Sequence, residues 1–165
     1  MFQKLRSDLV RELSPIRLLL VNAGGFSSNG VNPSLSLGLN GNQIEQLRDS
    51  GVDCVAFSGS KSQEISSIAE HLGIELHEAV PEIKQFYSKM KSEFSLSDHE
   101  IAFICRDEAD LQIMKKVSFT AVTPDAPLEV KSESYYAAYG VGGHAVREIA
   151  SLIIKSKRYP NGWSE

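Results

Sequence analysis

Four short clusters carry the side chains of this chain that could do chemistry: Asn22-Ala23-Gly24, Ser58-Gly59-Ser60, the region of Lys84, and Cys105-Arg106-Asp107 with Asp110. Ser58 and Lys84 suit an anion, because a hydroxyl at a helix start and a nearby ammonium hold phosphate oxygens without any catalysis, and they suit a solvated surface equally well. Asp107 and Asp110 sit at the opening of "EADLQIMKK", where an N-cap and a first-turn acid stabilise any helix. Cys105 closes an apolar run beside Arg106 and a helix start, features that lower a thiol's pKa and would make a nucleophile. A small hydrophobe filling a tight spot explains the same cysteine. The loop "NAGGF" is notable for what it lacks, since it holds no acid, base or nucleophile. The four histidines, His71, His77, His99 and His144, are scattered without ligand spacing, and no metal site is expected from them.

These clusters need a scaffold, and apolar runs of strand length at 16–22, 52–58, 101–105 and 117–122, with a weaker one at 74–80, supply it. Helical patterns alternate with them, which predicts an α/β fold: a three-layer, Rossmann-like parallel sheet with helices on both faces. "NGNQIEQLRDSG" closes at Gly51, "SGSKSQEISSIAEHLG" starts with Ser and ends at Gly73, and "PEIKQFYSKMKSEF" is expected to carry Pro81 in its first turn. "GHAVREIASLIIKSK" predicts a last helix with Val146, Ile149, Ile153 and Ile154 on one side. An opening helix follows from the stripe Phe2, Leu5, Leu9, Val10 and Leu13. Because ligands of open α/β sheets bind at the carboxyl ends of the strands, all four clusters are expected along one edge. Between them, 23–41 has no helical pattern, and its "VNPSLSLGL" predicts a short hairpin or flap. One domain over 1–158 is expected, with 159–165 a flexible tail whose Trp163 could dock on a neighbour.

Composition narrows the partners. A 165-residue chain with 42% hydrophobic residues can bury one continuous core, and its formal net charge of −4, with both signs mixed along the chain, offers no basic face to a nucleic acid and no polybasic anchor to a membrane. No segment has the run of about 20 apolar residues that spans a bilayer, and the N-terminal stripe lacks a signal-peptide core. A cytoplasmic protein is expected. Cys54 and Cys105 lie in "VDCVAFS" and "IAFIC" as buried hydrophobes in a reducing compartment, with no disulfide framework.

The order and spacing of the clusters resemble the haloacid dehalogenase-like (HAD) phosphatase superfamily. The likeness is to its cap-less branch, which contains 3-deoxy-D-manno-octulosonate 8-phosphate phosphatase and the HAD-like C-terminal domain of CMP-sialic acid synthetases. "GVGGHAVREIASLII" looks like that branch's C-terminal "GGxGAVRE" segment, and "DLQIMKKV", "EHLGI" and "VTPDA" stand in their expected places. The resemblance runs from about Ile16 to Ile154 and implies a fold with no large cap domain. It also implies a chemistry: an aspartate after the first strand attacks phosphorus, a second two residues on serves as acid and base, a Ser or Thr and a Lys hold the phosphoryl oxygens, and acids after the fourth strand complete a Mg²⁺ site.

Carried over residue by residue, that pattern meets departures. Asn22 stands at the nucleophile position and Gly24 at the acid/base position. Arg106 replaces the first acid after the fourth strand, while Asp107 and Asp110 remain as a vestigial metal site. Ser58 and Lys84 match the phosphate-holding positions, and Ser60 stands where the branch has an Arg. Two carboxylates lost and one guanidinium gained predict that Arg106 takes the place of the metal, pairing with Asp107 or Asp110. The resemblance further implies that Gly142, Gly143 and Arg147 belong to a stretch reaching toward an active site, often a neighbour's. It also implies a tetramer built through the hairpin after the first strand. Here the region 30–40 is shorter than the family's and has Leu39-Asn40-Gly41 in place of "RDG".

These readings lead to an expectation of a pseudo-phosphatase: a HAD-like protein without turnover that binds or assembles in acidic-sugar (nonulosonic or octulosonic acid) metabolism. Self-association as a dimer or tetramer is expected, with a small sugar phosphate or a partner enzyme as further partners and no cofactor. An active sugar-phosphate phosphatase with a non-standard site, which would need Mg²⁺, and a non-catalytic sugar-phosphate sensor are the alternatives.

Overall fold

Unbroken burial along the central strands builds this fold, seen in a computed structural model that describes residues 7–24 and 40–159. β1 (Leu18–Asn22), β2 (Asp53–Phe57), β3 (Glu75–His77), β4 (Ile101–Cys105), β5 (Phe119–Val122) and β6 (Tyr136–Ala137) form one sheet in the order β3-β2-β1-β4-β5-β6. Every neighbouring pair is parallel. Such a sheet is covered on both faces, so its strands read as unbroken apolar runs instead of alternating ones. β1 and β4 are buried throughout, as "LLLVN" and "IAFIC" require.

Period two in the strands divides those side chains between two cores. Leu19, Val21, Ala102 and Ile104 face one layer, packing with α1 (Ser7–Leu13), α2 (Gly41–Asp49), α3 (Gln63–Leu72) and α7 (Gly143–Arg158). Leu18, Leu20, Ile101 and Phe103 face the other, against α4 (Ile83–Phe94), α5 (Leu111–Met114) and α6 (Leu128–Glu133). The predicted stripe of the last helix is intact, with Val146, Ile149, Ile153 and Ile154 all buried. Among the described residues there is no cap domain, and no helix is long and apolar enough to cross a membrane.

Caps set the helix boundaries. Asn40 and Gln43 form the capping box of α2, Ser62 caps α3, and Gly73 ends α3 at φ 71, a conformation that costs a glycine nothing. Pro81 lies ahead of the first turn of α4, not within it, because Glu82 is the N-cap there. β6 and α6 went unpredicted: two strand residues and a six-residue helix are too short to show a period. The Cys54 side chain is half-buried and Cys105 fully buried, and both are free thiols. Phe2, Leu5, the hairpin expected within 31–39 and Trp163 lie outside the described residues.

Candidate functional site at the carboxyl edge of the sheet

Strand parity decides where Asn22 points. It ends β1 in step with Leu18 and Leu20, so its side chain emerges on the α4–α5 face, where the turn after β4 delivers its acids. There the Asn22 Nδ2 donates to Asp107 Oδ2 at 3.2 Å and to Asp110 Oδ1 and Oδ2 at 3.1 and 3.0 Å. Its Oδ1 accepts the Gly24 N–H at 3.0 Å. The network fixes the amide's orientation, because the flipped rotamer would set a carbonyl oxygen against two carboxylates.

Asp110 is completely buried. It closes a single 3-10 turn, Glu108–Asp110, in which Asp107 is the N-cap as expected. Its Oδ2 accepts the backbone N–H of Arg106 at 2.6 Å and of Asp107 at 2.9 Å. Burial pushes the Asp110 carboxyl above the ordinary aspartate range and the neighbouring Asp107 adds to the push, while the N–H donors and the Asn22 amide pull the other way. Asp107 remains exposed.

Arg106 pairs with Asp107, one of the two partners expected for it. Its Nε lies 3.9 Å from Asp107 Oδ1, and the group in contact with both carboxylates is the neutral amide of Asn22. Cys105 is the small buried side chain that its apolar run implies, not a nucleophile. Burial, together with the negative Asp110, pushes its thiol well above its ordinary pKa, so the thiolate a nucleophile needs is suppressed.

Ser58 is buried just after β2 and its Oγ accepts the Ser60 N–H at 3.2 Å. A Cβ at Gly24 would stand 3.9 Å from this Oγ, 3.9 Å from Asp107 Oδ2 and 3.1 Å from Asn22 Oδ1, so the three clusters meet at Gly24. Beside them opens a cleft of about 290 Å³. Its polar lining is Asn22, Asp107, Asp110, Glu82 and Gln112, and Phe57, Val80 and Pro81 contribute apolar wall. Lys84 sits exposed in the first turn of α4, two residues after the lining residue Glu82. Glu82 and Gln112 escaped the sequence reading, because a helix N-cap and a glutamine in a short helix carry no periodic or motif signal.

The C-terminal cluster forms a second, separate centre. β4 and β5 lie between β1 and β6, and none of Gly142, Gly143 and Arg147 lines the cleft. Gly142, at φ 54, caps α7, and a Cβ at Gly140 would collide with His144 at 2.7 Å. Glu148, which the sequence reading passed over, gathers the turn before α7: it accepts the Tyr136 hydroxyl at 2.7 Å and the N–H groups of Tyr139 and Gly140 at 2.9 and 3.1 Å. Hydrogen bonds to a charged acceptor each contribute about 1.5–3 kcal/mol when shielded and less in part-exposed settings. Glu148→Ala is therefore expected to cost about 1–2 kcal/mol, with faster amide exchange at Tyr139 and Gly140 in a hydrogen-exchange measurement.

No family model matches the chain. Individual proteins do. The Escherichia coli 3-deoxy-D-manno-octulosonate 8-phosphate phosphatase KdsC is 24% identical over 161 residues, 90% of this chain and 84% of that protein. The zebrafish N-acylneuraminate cytidylyltransferase A is 28% identical over 154 residues, 87% of this chain and 36% of that protein. Among solved structures, the Yersinia pestis 3-deoxy-D-manno-octulosonate 8-phosphate phosphatase matches with TM-score 0.78 at 23% identity, covering 96% of this chain and 92% of that one. The Moraxella catarrhalis phosphatase, in complex with magnesium ion, phosphate ion and KDO, matches with TM-score 0.78 at 18% identity, covering 94% and 95%. The fold is that of the HAD superfamily.

In this chain the chemistry at the end of β1 is that of an amide. An asparagine oxygen is neutral and here already accepts a hydrogen bond, so it has no anionic lone pair to offer an electrophile. A hard divalent cation needs carboxylate oxygens turned toward it, and Asn22 instead aims an N–H at both Asp107 and Asp110. Among the described residues no group of three or more His, Cys, Asp or Glu side chains is placed to hold a metal. The residues present do not fit Mg²⁺.

Proposed function

We propose that this protein is a catalytically silent member of the phosphatase-like HAD proteins, a pseudo-phosphatase that binds or assembles without turning over a phosphate ester. The observation that carries this reading is the Asn22 amide locked onto Asp107 and Asp110. Covalent phosphoryl transfer needs a carboxylate oxygen to attack phosphorus and a second group to shuttle the proton. Asn22 supplies an amide at the first position, and Gly24 has no side chain for the second. The names of its relatives, a 3-deoxy-D-manno-octulosonate 8-phosphate phosphatase and an N-acylneuraminate cytidylyltransferase, support a place beside the enzymes of acidic-sugar metabolism. In that role the chain works without a cofactor, as a homo-oligomer or with a partner enzyme.

Phosphate release from an aryl phosphate and from 3-deoxy-D-manno-octulosonate 8-phosphate, with Mg²⁺ present, tests the reading. The expected rate is that of buffer alone, unchanged in Ser58→Ala and Lys84→Ala. Mg²⁺-dependent release that disappears in both variants would establish an active phosphatase instead.

A further inference from the structure

The cleft beside Asn22 is lined by carboxylates. Asp107, Asp110 and Glu82 are its ionisable lining residues, and no Lys, Arg or His lines it among the described residues. Glu82 makes no side-chain hydrogen bond to the helix it caps, which leaves its carboxylate uncommitted to α4. Arg106 offsets part of the Asp107 charge from 3.9 Å, and Lys84 lies outside the lining. The sequence 25–39 contains no charged residue and no histidine.

From this we infer that the cleft accepts an uncharged, polyhydroxylated molecule of monosaccharide size and rejects phosphate esters and sugar acids. The inference rests on the silent reading above, because a bound divalent cation would reverse the local charge. A phosphate monoester near neutral pH is close to a dianion with few protons to donate, so against carboxylates it finds repulsion and no matching donor. Sugar hydroxyls are donors, and carboxylates accept from them in strong charge-assisted hydrogen bonds. Glu82 and Asp107 offer such acceptors, and the Gln112 amide both donates and accepts. Opposite these polar groups, Val80 and Pro81 provide apolar wall for the C–H face of a ring. A volume of about 290 Å³ falls at the lower end of small-molecule sites, which suits one ring and not an oligosaccharide.

Saturation-transfer NMR and titration calorimetry on the full chain test this with D-mannose, D-galactose and D-arabinose as neutral probes. Inorganic phosphate, mannose 6-phosphate and 3-deoxy-D-manno-octulosonate serve as anionic ones. The expected result is transfer to at least one neutral sugar, lost in Gln112→Ala with the circular dichroism spectrum unchanged, and none to the anions. Glu82→Lys is expected to reverse the preference and to tighten phosphate binding by about tenfold or more. Phosphate or mannose 6-phosphate binding the wild-type chain more tightly than any neutral sugar would overturn the inference, as would silence from all three neutral probes. Phosphate release under Mg²⁺ is read separately, so failure of the silent reading is distinguishable from failure of this selectivity.

Discussion

Asn22→Asp is expected to be markedly less stable than the wild-type chain unless a divalent cation is bound. The substitution is nearly isosteric, but it turns the donor that touches Asp107 and both oxygens of Asp110 into an acceptor with a negative charge. Three carboxylates then share one partly buried site, and losing hydrogen bonds to charged groups while adding like-charge repulsion costs about 3 kcal/mol or more. Urea denaturation in EDTA at neutral pH should show that loss. Millimolar Mg²⁺ should return most of it, since a ligand at 100 times its Kd stabilises by about 2.7 kcal/mol. The wild-type chain should not respond to Mg²⁺. The new carboxyl's pKa is raised by its neighbours, so in EDTA the variant is more stable at about pH 5, where it is protonated, and weakens as pH rises through that pKa. Adding Gly24→Asp and Arg106→Asp should strengthen Mg²⁺ binding in calorimetry. A folded Asn22→Asp chain as stable as wild type in EDTA and indifferent to Mg²⁺ would show that the amide does not hold the acids together.

The gain of Mg²⁺ binding follows from the residue types in the sequence, as does most of the scaffold, whereas the loss of stability in EDTA follows only from the contacts of Asn22. Leu18–Val21, Val55–Phe57 and Ile101–Cys105 belong to strands buried on both faces, and such strands announce themselves as uninterrupted apolar runs. Asn40, Ser62 and Gly73 mark helix ends because capping is local chemistry, decided within a few residues. β6 gave no such signal, since two residues are held in the sheet by pairing with β5 and not by any pattern of their own.

The site divides along the same line. Its chain order was readable: Asn22, Ser58, Asp107 and Asp110 all lie at one edge because parallel strands end together. Which donor serves the acids was not, for opposite charge made Arg106 the natural candidate. Asn22 is already buried by its strand and loses nothing further by bonding to Asp110, whereas Arg106 is part-buried and pairs with Asp107. Parity along β1 is the signal that would have favoured Asn22.

Asp110 should prove the keystone of the turn after β4, and the two ways of removing its charge should differ. Asp110→Ala deletes the acceptor of the Arg106 and Asp107 N–H groups and of the Asn22 amide in one step. A donor buried without its partner costs about 1–3 kcal/mol, so the alanine variant is expected to lose about 3 kcal/mol or more in chemical denaturation. Asp110→Asn keeps a carbonyl oxygen for the two backbone donors and should lose less. Its comparison with wild type also reads the sign of the Asp110 shift. Burial raises that pKa in the folded chain, so the ionised form is disfavoured by folding: the wild-type advantage is full below the unfolded value and declines as pH climbs through the folded one. Denaturation curves between about pH 4 and 8 should therefore show the gap between wild type and Asp110→Asn narrowing as pH rises. A gap that widens would mean that the N–H donors of Arg106, Asp107 and Asn22 outweigh burial, making Asp110 a net stabilised anion.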